Sequence, residues 1–98
     1  MAFEVIFLES AKQDLINSID YYSGVSTKLA IEFLDELDKA KSLLQENPYL
    51  FAIRHKSLRV AYIRRFKTLL IYEIDSTQNL TVIIGITRTE RNPDSYLP

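Results

Sequence analysis

Residues 54–72, RHKSLRVAYIRRFKTLLIY, decide the fold of this chain. Apolar residues alternate with basic ones through the first part of this stretch and then fill its end. Such a pattern predicts sheet strands that bury one face and present positive charge elsewhere. The first fourteen residues contain no acid and six cations, namely Arg54, Lys56, Arg59, Arg64, Arg65 and Lys67. We therefore expect contacts with a charged partner to be made here.

The whole chain has 98 residues, 47% of them apolar, which predicts one domain over residues 1–98. The net charge of -1 hides an asymmetry between the two halves. Residues 1–49 hold nine acids and four bases, whereas residues 50–98 hold four acids and eight bases. The C-terminal half is therefore suited to an anionic partner.

Residue types and hydropathy argue against several classes of protein. With no cysteine and His55 as the only histidine, neither a disulfide framework nor a zinc site is expected. We expect no metal and no cofactor. No apolar run reaches the roughly 18 residues of a membrane-spanning helix, and the N-terminus lacks the features of a signal peptide. These observations predict a cytoplasmic protein without a membrane partner.

The N-terminal half predicts a strand followed by a helix. Residues 2–8 are apolar except for Glu4 and are rich in strand-forming residues. Ser10 with Gln13 resembles a capping box, and Asp14 suits the positive first turn of a helix. The helix is expected to run over residues 11–22, with Gly24 as its left-handed C-terminal cap.

A second helix is predicted after a short link, so the two helices should form an antiparallel hairpin. Ser26 or Thr27 is the expected N-cap, and Asn47 before Pro48 ends the helix. One apolar stripe at helical spacing is formed by Ala30, Phe33, Leu37, Ala40 and Leu44.

The remaining chain predicts strands at residues 58–65, 67–75 and 80–88, with a tight connection near Arg65 and Phe66. Gly85 would allow close approach of a helix or backbone on one face of the last strand. The first strand joins an edge or lies beside the last strand. The order β-α-α-β-β-β predicts an α+β domain with the helical hairpin on one face of a mostly antiparallel sheet. The opposite face of the last strand would carry Leu80, Val82, Ile84, Ile86 and Arg88.

Several stretches in this order resemble the RelE/ParE toxins of bacterial type II toxin–antitoxin systems. They are AKQDLINSIDYY at 11–22, LAIEFLDELDKAKSLLQENP at 29–48 with Phe51, RRF at 64–66, LLIYEID at 69–75 and RNP at 91–93. Two parts of the sequence depart from the family. Phe66, Lys67 and Thr68 stand where relatives often carry Phe-Pro-Tyr, and Arg88 stands where many carry histidine.

The resemblance implies one of two activities. RelE-like members are metal-independent nucleases that cut messenger RNA on the ribosome, whereas ParE-like members keep the fold and poison DNA gyrase. Both kinds are neutralised by a small antitoxin protein. A third alternative is an inactive relative that only binds the antitoxin.

Metal-free RNA cleavage needs a base, cations around the phosphate and an acid for the leaving oxygen. Lys56 or Glu73 could act as the base, and Tyr96 could act as the acid or stack on a nucleobase. The resemblance supports only Arg88 directly, at the position of a functional residue in nuclease relatives. The candidate phosphate clamps are Arg59, Arg64, Arg65 and Arg88.

Each of these residues also has a purely structural interpretation. Arginines on a sheet edge often form a solvated face that blocks edge pairing. Arg88 could pair with Glu73 or Asp75 across a hairpin, and Tyr96 could serve in packing. Arg91 could belong to a turn.

The slightly acidic chain and its acidic helices favour a ParE-like toxin that inhibits growth by binding its target, DNA gyrase, without catalysis of its own. The alternative target is the ribosome with its messenger RNA, for which the catalytic residues would be Arg88, Arg64 and Tyr96. A homodimer or a toxin–antitoxin hetero-oligomer is possible for either. The residues predicted to contact the target or the antitoxin are Arg54, Lys56, Arg59, Arg64, Arg65, Lys67 and Arg91.

Overall fold

Two helices from the N-terminal half cover one face of a five-stranded sheet in the computed structural model, which describes residues 3–88. The helices pack on each other and on the sheet, so the predicted α+β arrangement is confirmed. The elements are β1 (Glu4–Phe7), α1 (Glu9–Val25), α2 (Thr27–Glu46), β2 (Ile53–His55), β3 (Leu58–Ile63), β4 (Thr68–Asp75) and β5 (Leu80–Arg88).

The sheet order is β1-β5-β4-β3-β2. β1 pairs parallel with β5, so it lies both at an edge and beside the last strand. The other pairs are antiparallel and follow one another along the chain. β2 is a short edge strand beside β3, and it adds a fifth strand to the four that the sequence predicts.

The apolar stripe of α2 faces the sheet as its helical spacing predicts. Phe33 and Leu44 are fully buried, and Ala30 and Leu37 are nearly so. Opposite them lie Ala61 and Ile63 of β3 and Leu70 of β4, among others, in one continuous core. Ala40 is half-buried and packs against this cluster.

Both predicted caps of the first helix are wrong, whereas that of the second is confirmed. α1 begins at Glu9 after Leu8, and the Ser10 side chain donates a hydrogen bond to the sheet instead. Gly24 lies inside α1 and has no positive φ. The Ser26 hydroxyl accepts a hydrogen bond from the Leu29 amide and thereby caps α2.

β5 does not keep the predicted alternation along its whole length. Ile71 of β4 is opposite Gly85 and Tyr72 is opposite Ile83, so Ile84 is an extra residue in a β-bulge. A bulge reverses the faces of the residues beyond it. Ile86 and Arg88 therefore face the helices, whereas Leu80 and Val82 face the other side. The prediction that all of them share one face is wrong because period-two counting does not register an inserted residue.

Tyr72 joins the centre of the sheet to the segment that follows α2. Its side chain is fully buried, and its hydroxyl donates a hydrogen bond of 2.6 Å to the Pro48 carbonyl. Burial raises the pKa of Tyr72 from 10.0 to about 12, although the Arg59 charge and the Phe51 backbone lower it. The folded state therefore favours the neutral phenol.

This pKa shift predicts how Tyr72→Phe changes stability with pH. Because the folded pKa is raised, the contribution of Tyr72 is complete below pH 10 and is lost as the pH rises towards 12. At pH 8 the variant should be about 1 kcal/mol less stable than wild type, since the Pro48 carbonyl loses its donor. Between pH 10 and 12 the free energy of unfolding of the wild type should fall by about 2 to 3 kcal/mol relative to that of the variant.

Urea unfolding followed by circular dichroism at several pH values measures this difference. Tyr62→Phe is the matched control, because the Tyr62 ring is 39% exposed. It should follow wild type at every pH. A difference between Tyr72→Phe and wild type that stays constant from pH 8 to pH 12 would contradict the assigned burial effect.

Candidate functional site

The connection between β3 and β4 is fixed by an aromatic cluster. A single 3-10 turn covers Arg64–Phe66, and Lys67 follows it in the left-handed region with φ 48°. The Phe66 ring is buried and meets the rings of Tyr22 and Phe33 edge-on, at centroid distances of 5.0 Å and 5.3 Å. Such pairs stabilise a fixed geometry in addition to the area they bury. The turn is therefore anchored on both helices.

The cations of this turn point in different directions. Arg65 forms an ion pair with Glu32 of α2, and its guanidinium lies 5.1 Å from the centre of the Phe66 ring. Arg64 borders a different hollow, beside Glu36 and Leu43. The acids of α2 therefore reach the basic turn, and Arg65 is partly neutralised in the free protein.

Arg88 ends β5 and faces α1. Its guanidinium carbon lies 4.2 Å from the ring centre of Tyr21 and 5.7 Å from that of Tyr22, which is cation–π geometry. Arg88 is opposite Thr68 in the sheet. Glu73 and Asp75, considered above as its cross-strand partners, are opposite Val82 and Leu80 instead, so that interpretation is wrong.

Arg88 shares one surface hollow of about 300 Å³ with two cations of the turn. We call it the Arg88 hollow. It combines positive charge with aromatic and aliphatic walls, which suits an anionic or amphipathic group on a partner. Its lining residues are Tyr22, Leu29, Arg65, Phe66, Lys67 and Arg88.

Three of the other predicted contact residues, Arg54, Lys56 and Arg59, lie at the opposite end of β3. β3 has six residues, and at a rise of about 3.3 Å per residue its two ends are roughly 17 Å apart. Arg54 lies in β2, and Lys56 follows it in the β2–β3 turn with φ 52°. Arg59 donates a hydrogen bond of 2.6 Å to the Phe51 carbonyl and lies 5.2 Å from the Tyr49 ring centre. The basic run is thus divided between two ends of the sheet.

The residues considered as catalytic bases do not lie near Arg88. Glu73 is on the sheet face away from the helices and accepts a hydrogen bond from the Ser57 hydroxyl. Glu73 lies five positions after Thr68 along β4, which places it roughly 17 Å from Thr68. Thr68 is the residue opposite Arg88. Lys56 belongs to the distant β2–β3 turn. Arg91 and Tyr96 lie outside the described residues.

Two further features bear on possible ligands. Within residues 3–88, no three His, Asp or Glu side chains converge where they could hold a metal ion. Neither α1 nor α2 is both long and apolar enough to cross a membrane.

Sequence patterns did not indicate which residues of α1 face β5. Ser10, Asp14 and Tyr21 all contact this strand, although the sequence predicts only helix-start roles for Ser10 and Asp14 and no role for Tyr21. The available signal was their spacing. Intervals of four and seven residues put all three on one face of a helix.

Comparison with known families and structures agrees with this architecture. A family model described as the ParE toxin of the type II toxin–antitoxin system ParDE matches residues 5–93. The chain belongs to this toxin family. Among curated protein sequences, none matches it significantly.

Solved structures of related toxins share the fold at low sequence identity. The chromosomal ParDE system from P. aeruginosa superposes with a TM-score of 0.76 at 17% identity, over 91% of this toxin and 98% of that chain. The RelBE2 toxin–antitoxin complex from Mycobacterium tuberculosis gives 0.66 at 20% identity, over 91% and 100%. The isolated E. coli RelE toxin gives 0.66 at 16% identity, over 94% and 89%. The toxin fold thus spans nearly the whole chain.

The aromatic anchor of the turn can be tested by substituting Phe66. Phe66→Ala should lower the free energy of unfolding of the toxin by about 3 to 5 kcal/mol, because it removes both ring contacts and leaves a cavity. Phe66→Leu keeps most of the volume and should cost about 1 kcal/mol. Urea denaturation measures both values. Equal stability of the two variants would contradict an anchoring role for the ring.

Proposed function

We propose that this toxin inhibits growth by binding DNA gyrase, without catalysis of its own, and that a cognate antitoxin neutralises it. The observation that carries the proposal is the separation of Arg88 from the candidate bases. Lys56 lies at the far end of β3, and Glu73 lies on the other face of the sheet. Acid–base catalysis requires such groups within hydrogen-bond reach of one substrate.

The family assignment supports the same proposal, since residues 5–93 match the ParE branch. The charge distribution supports it as well. α2 carries Glu32 and Glu36 close to the basic turn, and Arg65 is paired with Glu32. Such pairing reduces the positive field that a nuclease acting on a polyanion would use.

In this proposal the Arg88 hollow supplies the contact with gyrase or its bound DNA. Arg88 is held over Tyr21 and stays partly exposed, so a partner meets a charge of fixed orientation. A preorganised guanidinium loses little conformational freedom when it pairs with a carboxylate or a phosphate.

Gyrase cleavage assays and translating extracts, run side by side, test the proposed target. The purified toxin should stabilise cleaved gyrase–DNA complexes and leave messenger RNA intact. Arg88→Ala should weaken the gyrase effect by roughly tenfold or more, as expected for a lost charged contact. Lys28→Ala, which removes an exposed cation of α2, is the control and should act as wild type.

Cut messenger RNA with no effect on gyrase would overturn the proposal. Harmless expression of the wild-type chain without its antitoxin would instead indicate an inactive, antitoxin-binding relative.

One observation favours a second candidate, the RelE-like nuclease. Arg65, Lys67 and Arg88 do converge in the Arg88 hollow, and three cations can surround a phosphate. In this alternative Arg88→Ala abolishes messenger RNA cleavage while the protein stays folded. Full toxicity of that variant would argue against the nuclease.

We further propose that the antitoxin places acidic residues against the basic run. Arg54 and Lys56 are exposed at the β2 edge, where such a segment would meet them. Because exposed charges mainly steer the encounter, raising the salt concentration should slow association more than it speeds dissociation.

Stopped-flow mixing of toxin and antitoxin between 50 and 500 mM salt measures this effect. The double variant Arg54→Gln/Lys56→Gln should associate more slowly and show a weaker dependence on salt. Lys12→Gln, which removes an exposed cation from α1, should behave as wild type. An association rate that does not change with salt would refute electrostatic steering.

A further inference from the structure

β1 covers only the first part of the edge of β5. Their paired residues run from Glu4 with Leu80 to Phe7 with Ile83, and the Leu8 amide adds a last hydrogen bond of 3.0 Å to the Ile83 carbonyl. Beyond Ile83, no described strand pairs with β5 on this side. The backbone groups there need other partners, since buried unpaired ones are costly.

Two side chains of α1 supply these partners. The Ser10 hydroxyl donates a hydrogen bond of 2.8 Å to the Ile84 carbonyl. The Asp14 carboxylate, through Oδ2, accepts one of 3.0 Å from the Ile86 amide. Ser10 and Asp14 are four residues apart, so they lie on one face of the helix. Together they continue along β5 the pairing that β1 begins.

These two hydrogen bonds fix β5 at the bulge itself and two residues after it. Ile84 is the extra residue of the bulge, and Ile86 is the first residue beyond it that faces the core. A bulge without a partner on its edge can change register. Asp14 also packs closely here, since a Cβ added to Gly85 would lie 3.6 Å from its Oδ2 atom.

The same helix face then reaches Arg88. Tyr21 lies seven residues after Asp14, and Arg88 lies two residues after Ile86. The hydrogen bond from Ile86 to Asp14 and the stacking of Arg88 on Tyr21 are therefore neighbouring contacts between α1 and β5. Asp14, Tyr21, Ile86 and Arg88 line one hollow of about 280 Å³.

We infer that Ser10 and Asp14 are positioning residues for Arg88. They fix the bulge and the position of β5 against α1, and thereby set where the guanidinium meets a partner. Asp14 contributes the stronger constraint, because a hydrogen bond to a carboxylate is stronger than one between neutral groups. The importance of this position for inhibition rests on the proposed function, whereas the positioning itself does not.

NMR of the isolated toxin tests the positioning without any target. The side-chain protons of Arg88 lie over the Tyr21 ring and should be shifted upfield by it, and the Ile86 amide should exchange slowly. Asp14→Ala should reduce both effects. Asp14→Asn keeps an acceptor oxygen while removing the charge, and should restore them. Asp20→Ala is the matched control. Asp20 is an exposed acid of α1, and its side chain forms no ion pair or hydrogen bond within residues 3–88.

Target inhibition, measured on the same variants, supplies a second readout. Asp14→Ala should inhibit the target more weakly than wild type, with a loss that approaches the roughly tenfold loss expected for Arg88→Ala. Asp14→Asn should inhibit as wild type does. The double variant Asp14→Ala/Arg88→Ala should be no weaker than Arg88→Ala alone, since the aspartate acts through the arginine.

An unchanged Arg88 proton shift in Asp14→Ala would overturn the inference, and so would an additional loss in the double variant. Failure of the proposed function has a different signature. In that case the wild-type toxin does not inhibit gyrase, or Arg88→Ala inhibits it as strongly as wild type does, while the shift of the Arg88 protons still depends on Asp14.

Discussion

The structure depends on satisfying the backbone of β5, the longest strand of the sheet and the one between β1 and β4. On the edge away from β4, its backbone groups are paired by β1 as far as Ile83, and beyond it Ser10 and Asp14 of α1 pair the Ile84 carbonyl and the Ile86 amide. Unpaired buried groups would cost more than most single contacts contribute. This constraint holds α1 against the strand, and the bulge beside these contacts determines which face of the sheet carries Arg88.

The Arg88 hollow follows from the same arrangement. α1 brings Tyr21 and Tyr22 to the end of β5, and the Phe66 ring ties the neighbouring turn to both helices. Arg65 and Lys67 therefore meet Arg88 on one surface, although they are more than twenty residues away in sequence. Charge alone does not define this surface. The aromatic packing underneath fixes where each cation lies.

Local patterns predicted most of the fold, whereas long-range contacts escaped prediction. The α2 stripe and the three later strands follow from spacing that neighbouring residues set. The bulge at Ile84 was missed because Val82, Ile83 and Ile84 are all apolar, so the sequence does not show where an extra residue breaks the period of two. Ser10 was assigned to a helix cap because its true partner, the Ile84 carbonyl, lies 74 residues away. The basic run looked like one patch because its sequence does not show that β3 separates its two ends.

The proposed activity of this ParE-family toxin is the binding of its target at the Arg88 hollow. Biolayer interferometry with immobilised toxin, against purified gyrase and against purified ribosomes, tests it most directly. We expect saturable binding to gyrase that weakens by roughly tenfold in Arg88→Ala, with no comparable binding to ribosomes. Binding to ribosomes that depends on Arg88, together with no binding to gyrase, would contradict the account.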